Sequence, residues 1–125
     1  MRGTTIFWLV IAALIVGGIG SSVYLKGRPG QLDGFTLCLK DKGVIMYGAF
    51  WCPHCQATKK QFGNSAKLLP YVECSTPDGK DQTQVCKDKK IVQYPTWMRP
   101  SDATTISGEH TLQEIADFGG CTLPK

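Results

Sequence analysis

The stretch that decides the fold is Trp51-Cys52-Pro53-His54-Cys55, which follows the apolar residues 44–47 and precedes residues 56–62. Two cysteines three positions apart can form a disulfide when the first lies at a helix N-terminus, because one helical turn brings the second sulfur close to it. A short apolar run indicates a buried strand. The sequence therefore predicts a strand, a redox loop and a helix in that order.

Cys52 has the position expected of a nucleophile. A thiol at a helix N-terminus faces unpaired backbone N–H groups and the positive end of the helix dipole, so we expect its pKa to fall. Pro53 suits the first helical turn, and His54 adds positive charge when protonated. Both residues favour the reduced pair of Cys52 and Cys55, which makes the disulfide a stronger oxidant. The motif therefore predicts a donor of disulfides.

A C-x-x-C pair also occurs in zinc sites, haem attachment sites and structural disulfides. Zinc needs a second pair at suitable spacing, which Cys74 and Cys86 do not supply. Haem attachment needs a histidine directly after the second cysteine, and position 56 is glutamine. A purely structural bridge between Cys52 and Cys55 stays open as an alternative.

The composition indicates one folded domain after an N-terminal segment. The chain has 125 residues, of which 42% are hydrophobic and 19% are charged, and this balance excludes a disordered chain. The net charge of +4 comes from cations interspersed with acids. This distribution favours solvated helix surfaces, so we expect no nucleic-acid partner.

Six cysteines in so short a chain indicate disulfides in an oxidising compartment. The four cysteines outside the motif allow three pairings, of which we favour Cys74 with Cys86 and Cys38 with Cys121. A second redox pair is the alternative for the former, and two free buried thiols are the alternative for the latter.

The twenty residues from Ile6 to Leu25 carry no charge and are long enough, at about 30 Å of helix, to cross a bilayer. A removed signal peptide is the alternative, because residues 18–21 resemble a small-x-small cleavage site. The cysteines favour a cytoplasmic N-terminus with the domain outside. We therefore predict a membrane anchor and linker over residues 1–30 and one domain over residues 31–125.

Periodicity and turn residues predict the remaining elements. A helix carrying Cys38 should begin near Leu32 and stop at Gly43, and a second strand within residues 68–74 should pair in parallel with the first. Residues 81–90 are helical by composition. Residues 96–99 and 104–107 should form a hairpin, and a capping box opens a last helix at Thr111.

This order of elements, together with the Trp-Cys-Pro-His-Cys motif and the later Tyr94-Pro95-Thr96, resembles the thioredoxin fold over about residues 31–121. The resemblance implies an α/β fold with a central mixed four-stranded sheet flanked by helices. In that family the proline matching Pro95 is cis, packs against the active-site disulfide and lies beside backbone that helps to bind substrate. A proline that merely begins a strand is the alternative.

Residues 47–55, 71–75 and 94–97 more closely resemble the thioredoxin-like domains fused to, or partnered with, bacterial vitamin K epoxide reductase homologues. The Cys-Pro-His-Cys core alone is shared with periplasmic oxidoreductases of the DsbA type. The vitamin K epoxide reductase homologues are membrane enzymes that reoxidise such domains with quinone. The present sequence holds no four-helix quinone-binding portion, so the resemblance implies a separate membrane oxidase as partner.

One position departs from the family pattern. Many thioredoxins carry a buried acid six residues before the first active-site cysteine, where it assists proton transfer to and from the second thiol. This sequence has Met46 there. Glu73 or water is then the remaining candidate for this proton transfer, and efficient reductase activity is not expected.

We therefore predict a membrane-tethered extracytoplasmic thiol–disulfide oxidoreductase that acts on cysteine-containing proteins and needs no cofactor. An unfolded substrate could contact apolar surface from Trp51, Tyr94 and Trp97, unless these side chains belong to the core. A reductase or isomerase is the alternative within the same chemistry. A non-catalytic module is the other alternative, either an adaptor or a metal carrier using Cys52, His54 and Cys55.

Overall fold

The computed structural model describes residues 1–125, with the side chains of all but residues 2 and 26. Nine helices and strands and one 3₁₀ helix follow each other along the chain. They are α1 (Arg2–Gly27), α2 (Asp33–Asp41), β1 (Ile45–Gly48), α3 (Pro53–Gln61), the 3₁₀ helix (Gly63–Leu68), β2 (Tyr71–Glu73), α4 (Gln84–Asp88), β3 (Thr96–Arg99), β4 (Thr104–Ser107) and α5 (Leu112–Gly119).

The four strands form one mixed sheet in the order β2-β1-β3-β4. β1 pairs in parallel with β2 through the crossover that contains α3, and it pairs antiparallel with β3. β3 and β4 form the antiparallel hairpin predicted for residues 96–99 and 104–107. The mixed four-stranded sheet flanked by helices confirms the predicted fold class.

Alternation along the central strands gives the sheet two buried faces. Met46 and Trp97 lie in the larger cluster, where they join Leu39 of α2 and Ile115 of α5. The next residues along the strands, including Tyr47, lie in the smaller cluster beside α4. Because side chains alternate across a strand, a four-residue apolar run can fill both layers.

Two disulfides connect the helices to this core. The long bridge joins Cys38 of α2 to Cys121 beyond α5, with a Cα–Cα distance of 6.0 Å across 83 positions. The short bridge joins Cys74 to Cys86 of α4, with a Cα–Cα distance of 5.5 Å across 12 positions. These are the pairings favoured from the sequence.

The apolar N-terminal segment is the single long helix α1, which is about 39 Å long at 1.5 Å per residue. Its portion Gly3–Leu25 has a mean hydropathy of 2.3 and none of it is buried against the domain. Such a helix fits either a membrane span or a signal sequence. It continues through residues 26 and 27, where the sequence predicts a linker. The division at residue 30 stays a prediction.

One local prediction was wrong in extent. The helix expected over residues 81–90 is limited to Gln84–Asp88, because residues 81–83 run instead in a loop in which Ser75 bridges Gln82. After α3 the chain turns through the 3₁₀ helix, which Gly63 enters with a φ of 53°. The last helix has the expected capping box between Thr111 and Glu114.

Candidate active site

Cys52 lies at the N-terminus of α3, where it is the N-cap residue with extended backbone angles (φ −78°, ψ 117°). Pro53 is the first helical residue, a position at which its missing N–H has no partner to lose. The Sγ of Cys52 lies 3.8 Å from the carbonyl oxygen of Tyr94, to which the thiol donates. The first sulfur is therefore held between the positive end of a helix and the loop before β3.

Cys55 lies one turn further along α3 and is the more deeply buried thiol. Cys55 is 1% exposed and Cys52 is 5% exposed, and neither cysteine is in a disulfide. Burial raises the pKa of Cys55 to about 12, a rise that the backbone N–H of Ala49 and the charge of Lys59 only partly oppose. Cys55 is therefore a neutral thiol at neutral pH when the pair is reduced, and Cys52 is the less buried of the two cysteines.

The loop opposite the cysteines carries the cis peptide between Tyr94 and the buried Pro95. The Tyr94 ring is half-buried and packs edge-on against Trp51, with the ring centroids 6.0 Å apart. Gln82 fixes this ring, because its Nε2 donates to the Tyr94 hydroxyl at 2.7 Å and to the carbonyl of Ile91 at 2.7 Å. The Tyr94 carbonyl therefore lies on a braced loop.

The apolar surface beside the cysteines differs in part from the predicted one. Trp51 is 51% exposed and donates its indole N–H to Ser75 Oγ at 2.8 Å. Phe50 is similarly exposed. Trp97 does not contribute to this surface and follows the core alternative instead, because it is completely buried under the sheet. The inward register of β3, which pairs Trp97 with Met46, accounts for its burial.

The His54 side chain is exposed to solvent. Its Nδ1 lies 2.7 Å from Oε1 of Glu109, a residue of the loop before α5. Both side chains are exposed, so the pair contributes little to stability. It does link the active-site helix to the loop that leads into the last helix.

Met46 is completely buried, and Glu73 lies at the end of the neighbouring strand. The Glu73 carboxylate accepts hydrogen bonds from the Tyr71 hydroxyl at 2.8 Å and from the backbone N–H groups of Ser75 at 2.9 Å and Phe50 at 3.2 Å. Glu73 therefore braces the loop before the cysteines, and it reaches the neighbourhood of Cys55 only through Tyr71.

The residues of this site fit a recognised family. The family model described as Thioredoxin matches residues 34–118, which run from the first turn of α2 to the last turn of α5. The chain belongs to the thioredoxin family. The cysteine pair at the N-terminus of α3 and the cis proline opposite form an arrangement suited to thiol–disulfide exchange.

A curated relative points the same way. Over 90 residues the chain is 44% identical to the thiol-disulfide oxidoreductase LTO1 of Arabidopsis thaliana. The match covers 68% of this thioredoxin-family chain and 23% of the plant protein, so the chain spans less than a quarter of that relative's length.

Sequence reasoning missed four residues that support the site. Lys59 follows Cys55 by four positions and Tyr71 precedes Glu73 by two, which are the spacings of one helix face and one strand face, so a local signal was present. No local signal connects Gln82 to Tyr94 or Glu109 to His54, because these contacts depend on how the loops fold back.

Proposed function

We propose that this protein is a membrane-tethered donor of disulfides that acts outside the cytoplasm. The observation that carries the proposal is the contrast between the two thiols, with Cys52 at the helix N-cap and Cys55 buried with its pKa raised to about 12. The direction of electron flow, the membrane tether and the partner are all parts of this proposal.

The reaction follows from the positions of the two sulfurs. A substrate thiolate attacks Sγ of Cys52 in the oxidised pair, the Cys52–Cys55 bond breaks, and its electron pair leaves on Cys55. A second substrate thiolate then attacks the substrate sulfur of the mixed disulfide, and Cys52 leaves as a thiolate. The substrate gains one disulfide, and both enzyme cysteines end reduced.

The burial of Cys55 supports this direction. In the mixed disulfide, attack by Cys55 on Cys52 would return the substrate unchanged, and this attack requires the Cys55 thiolate. Burial disfavours that thiolate, and Met46 stands where many thioredoxins have an acid that would accept the proton. The substrate's own second thiol therefore competes well, and oxidation proceeds.

The exposed apolar side chains beside the motif support a protein substrate. Phe50 and Trp51 are each about half exposed and directly precede Cys52, and the Trp51 ring packs against the Tyr94 ring. An extended cysteine-containing segment could lie across these rings with its backbone at the cis-proline loop. The two structural bridges and the apolar α1 support placement of the domain in an oxidising compartment, next to a membrane.

Each turnover leaves the pair reduced, so an electron acceptor is required. The resemblance of residues 47–55, 71–75 and 94–97 to domains that serve vitamin K epoxide reductase homologues supports a membrane oxidase of that kind as the partner. In membranes that contain such an oxidase, the reduced full-length protein should be reoxidised only when quinone is present.

The reduction potential of the full-length protein in detergent tests the direction. A donor of disulfides should equilibrate with glutathione at a potential closer to −120 mV than to the roughly −270 mV of cytosolic thioredoxin. A value near the thioredoxin potential would favour the alternative of a reductase. The Cys52→Ser variant separates an enzyme, which loses all exchange, from an adaptor, which keeps its interactions. Carbonate extraction tests the tether, because a cleaved signal would leave the domain in the soluble fraction.

A further inference from the structure

The departing Cys55 sulfur needs stabilisation that position 46 does not provide. When a substrate thiolate attacks Cys52, negative charge develops on Cys55. This residue is 1% exposed and lies among apolar side chains of the core. Charge that develops in a buried place is costly unless a dipole or cation faces it.

Tyr71 lies against the same stretch of backbone as this sulfur. A Cβ built on Gly48 would lie 2.7 Å from Sγ of Cys55, 3.0 Å from Cε2 of Tyr71 and 3.4 Å from its hydroxyl oxygen. The thiol and the phenol ring therefore both border the space that a side chain at Gly48 would occupy.

Lys59 brings a positive charge to this place. It follows Cys55 by four positions on α3 and so shares its helix face. Its Nζ lies 3.3 Å from the centroid of the Tyr71 ring, which is the geometry of a cation–π contact. Among the side chains that the structure describes, no carboxylate forms an ion pair with Lys59.

Glu73 fixes the ring that holds Lys59. Its Oε2 accepts from the Tyr71 hydroxyl, and its Oε1 is anchored by the backbone N–H groups of Phe50 and Ser75. Glu73 therefore holds the Tyr71 ring in place, and the Tyr71 ring holds Lys59 in place.

We propose that Lys59, positioned by Tyr71 and Glu73, stabilises the thiolate that leaves on Cys55 and so compensates for the acid that Met46 replaces. The Cys52–Cys55 bond breaks as the substrate–Cys52 bond forms, the electron pair goes to Sγ of Cys55, and a proton from water then neutralises that sulfur. Lys59 acts on Cys55 through its charge, and Tyr71 and Glu73 are the residues that position it. The inference rests on thiol–disulfide exchange at Cys52 and Cys55 and is independent of the direction proposed above.

A rate effect without an equilibrium effect is the signature of this role. At neutral pH both the oxidised pair and the reduced Cys55 thiol are uncharged, so Lys59 acts mainly on the transition state. Replacing it should slow exchange equally in both directions, and the equilibrium constant with glutathione should stay the same. A structural role would alter stability or the potential instead.

The test compares Lys59→Gln with Lys60→Gln in the full-length protein at pH 7. Lys60 is the matched control because it is the next residue, has the same charge and is exposed. We expect Lys59→Gln to slow reduction by glutathione and the reverse oxidation each about tenfold, equivalent to about 1.4 kcal/mol in the barrier. Lys60→Gln should change neither rate more than about twofold, and Lys59→Arg should restore most of the loss, because it keeps the charge and the ring contact.

Tyr71→Leu provides a second variant, since it removes the ring but not the charge and should slow both rates in the same way. The inference is overturned if Lys59→Gln exchanges as fast as Lys60→Gln, or if only one direction slows and the potential shifts. A wild-type potential in the reductase range would contradict the proposed direction and leave these rate comparisons decisive for Lys59.

Discussion

Gly48→Ala should damage both stability and exchange, because the end of β1 has no room for a methyl group. The added Cβ would lie 2.7 Å from the Cys55 sulfur and 3.0 Å from the Tyr71 ring, both inside van der Waals contact. Over-packing of this kind costs about 1–3 kcal/mol of unfolding free energy, which in a domain of this size lowers Tm by about 4–8 °C per kcal/mol. Rotating the Cys55 side chain to relieve the clash would move its sulfur relative to Cys52, so exchange should slow as well.

The assay is urea denaturation of the full-length protein in detergent, followed by circular dichroism, together with the rate of reduction by glutathione. Gly34→Ala is the matched control, because a Cβ on this α2 residue meets nothing within 4 Å. Alanine in a helix should stabilise the domain by up to about 1 kcal/mol and leave exchange unchanged. If Gly48→Ala is as stable and as fast as the parent, the Cys55 sulfur does not lie against β1 and the described site is wrong.

Three further predictions concern the cysteines. In the reduced protein at pH 7, iodoacetamide should modify Cys52 and spare Cys55, whose pKa of about 12 keeps it protonated until the solution is strongly alkaline; peptide mass spectrometry that finds equal modification would contradict this. The pKa of Cys55 in the folded protein lies above its ordinary value of 9.0, so the unfolded state loses this proton first as pH rises. The reduced form should therefore lose unfolding free energy relative to the oxidised form between about pH 9 and 12. Urea unfolding that shows equal losses of unfolding free energy in the two forms would argue against this prediction. Replacing both cysteines of the long bridge with serine should cost more unfolding free energy, about 4.5 kcal/mol, than the same change in the short bridge, about 3 kcal/mol, because the closed loop is longer; the reverse order would contradict the loop-entropy reasoning.

Local patterns predicted the parts of the fold that depend on neighbours in sequence. The strand before Cys52, the hairpin bounds and the capping box at Thr111 all lie where alternation and turn chemistry place them. The short α4 was overestimated, because composition alone does not show that residues 81–83 make loop contacts instead of a helical turn.

The candidate site was predictable for the pair of cysteines and much less for its surroundings. The sequence left both a surface and a core position possible for Trp97, because an aromatic residue in a strand is compatible with either face until the register is known. The bracing of Tyr94 by Gln82 joins residues twelve positions apart through a loop, for which the sequence has no periodic signal. The contact of Lys59 with Tyr71 depends on the crossover packing α3 against β2, which is a tertiary property.

The central claim is that Cys52 forms the mixed disulfide with the substrate, and that Cys55 is the thiol that leaves from Cys52 and can return to it. The most direct measurement is to express Cys55→Ala and Cys52→Ala separately in the full-length protein and to count the mixed disulfides that each accumulates in cells. We predict dithiothreitol-sensitive complexes with Cys55→Ala and none with Cys52→Ala. Equal trapping by both variants, or none by either, would contradict the assignment.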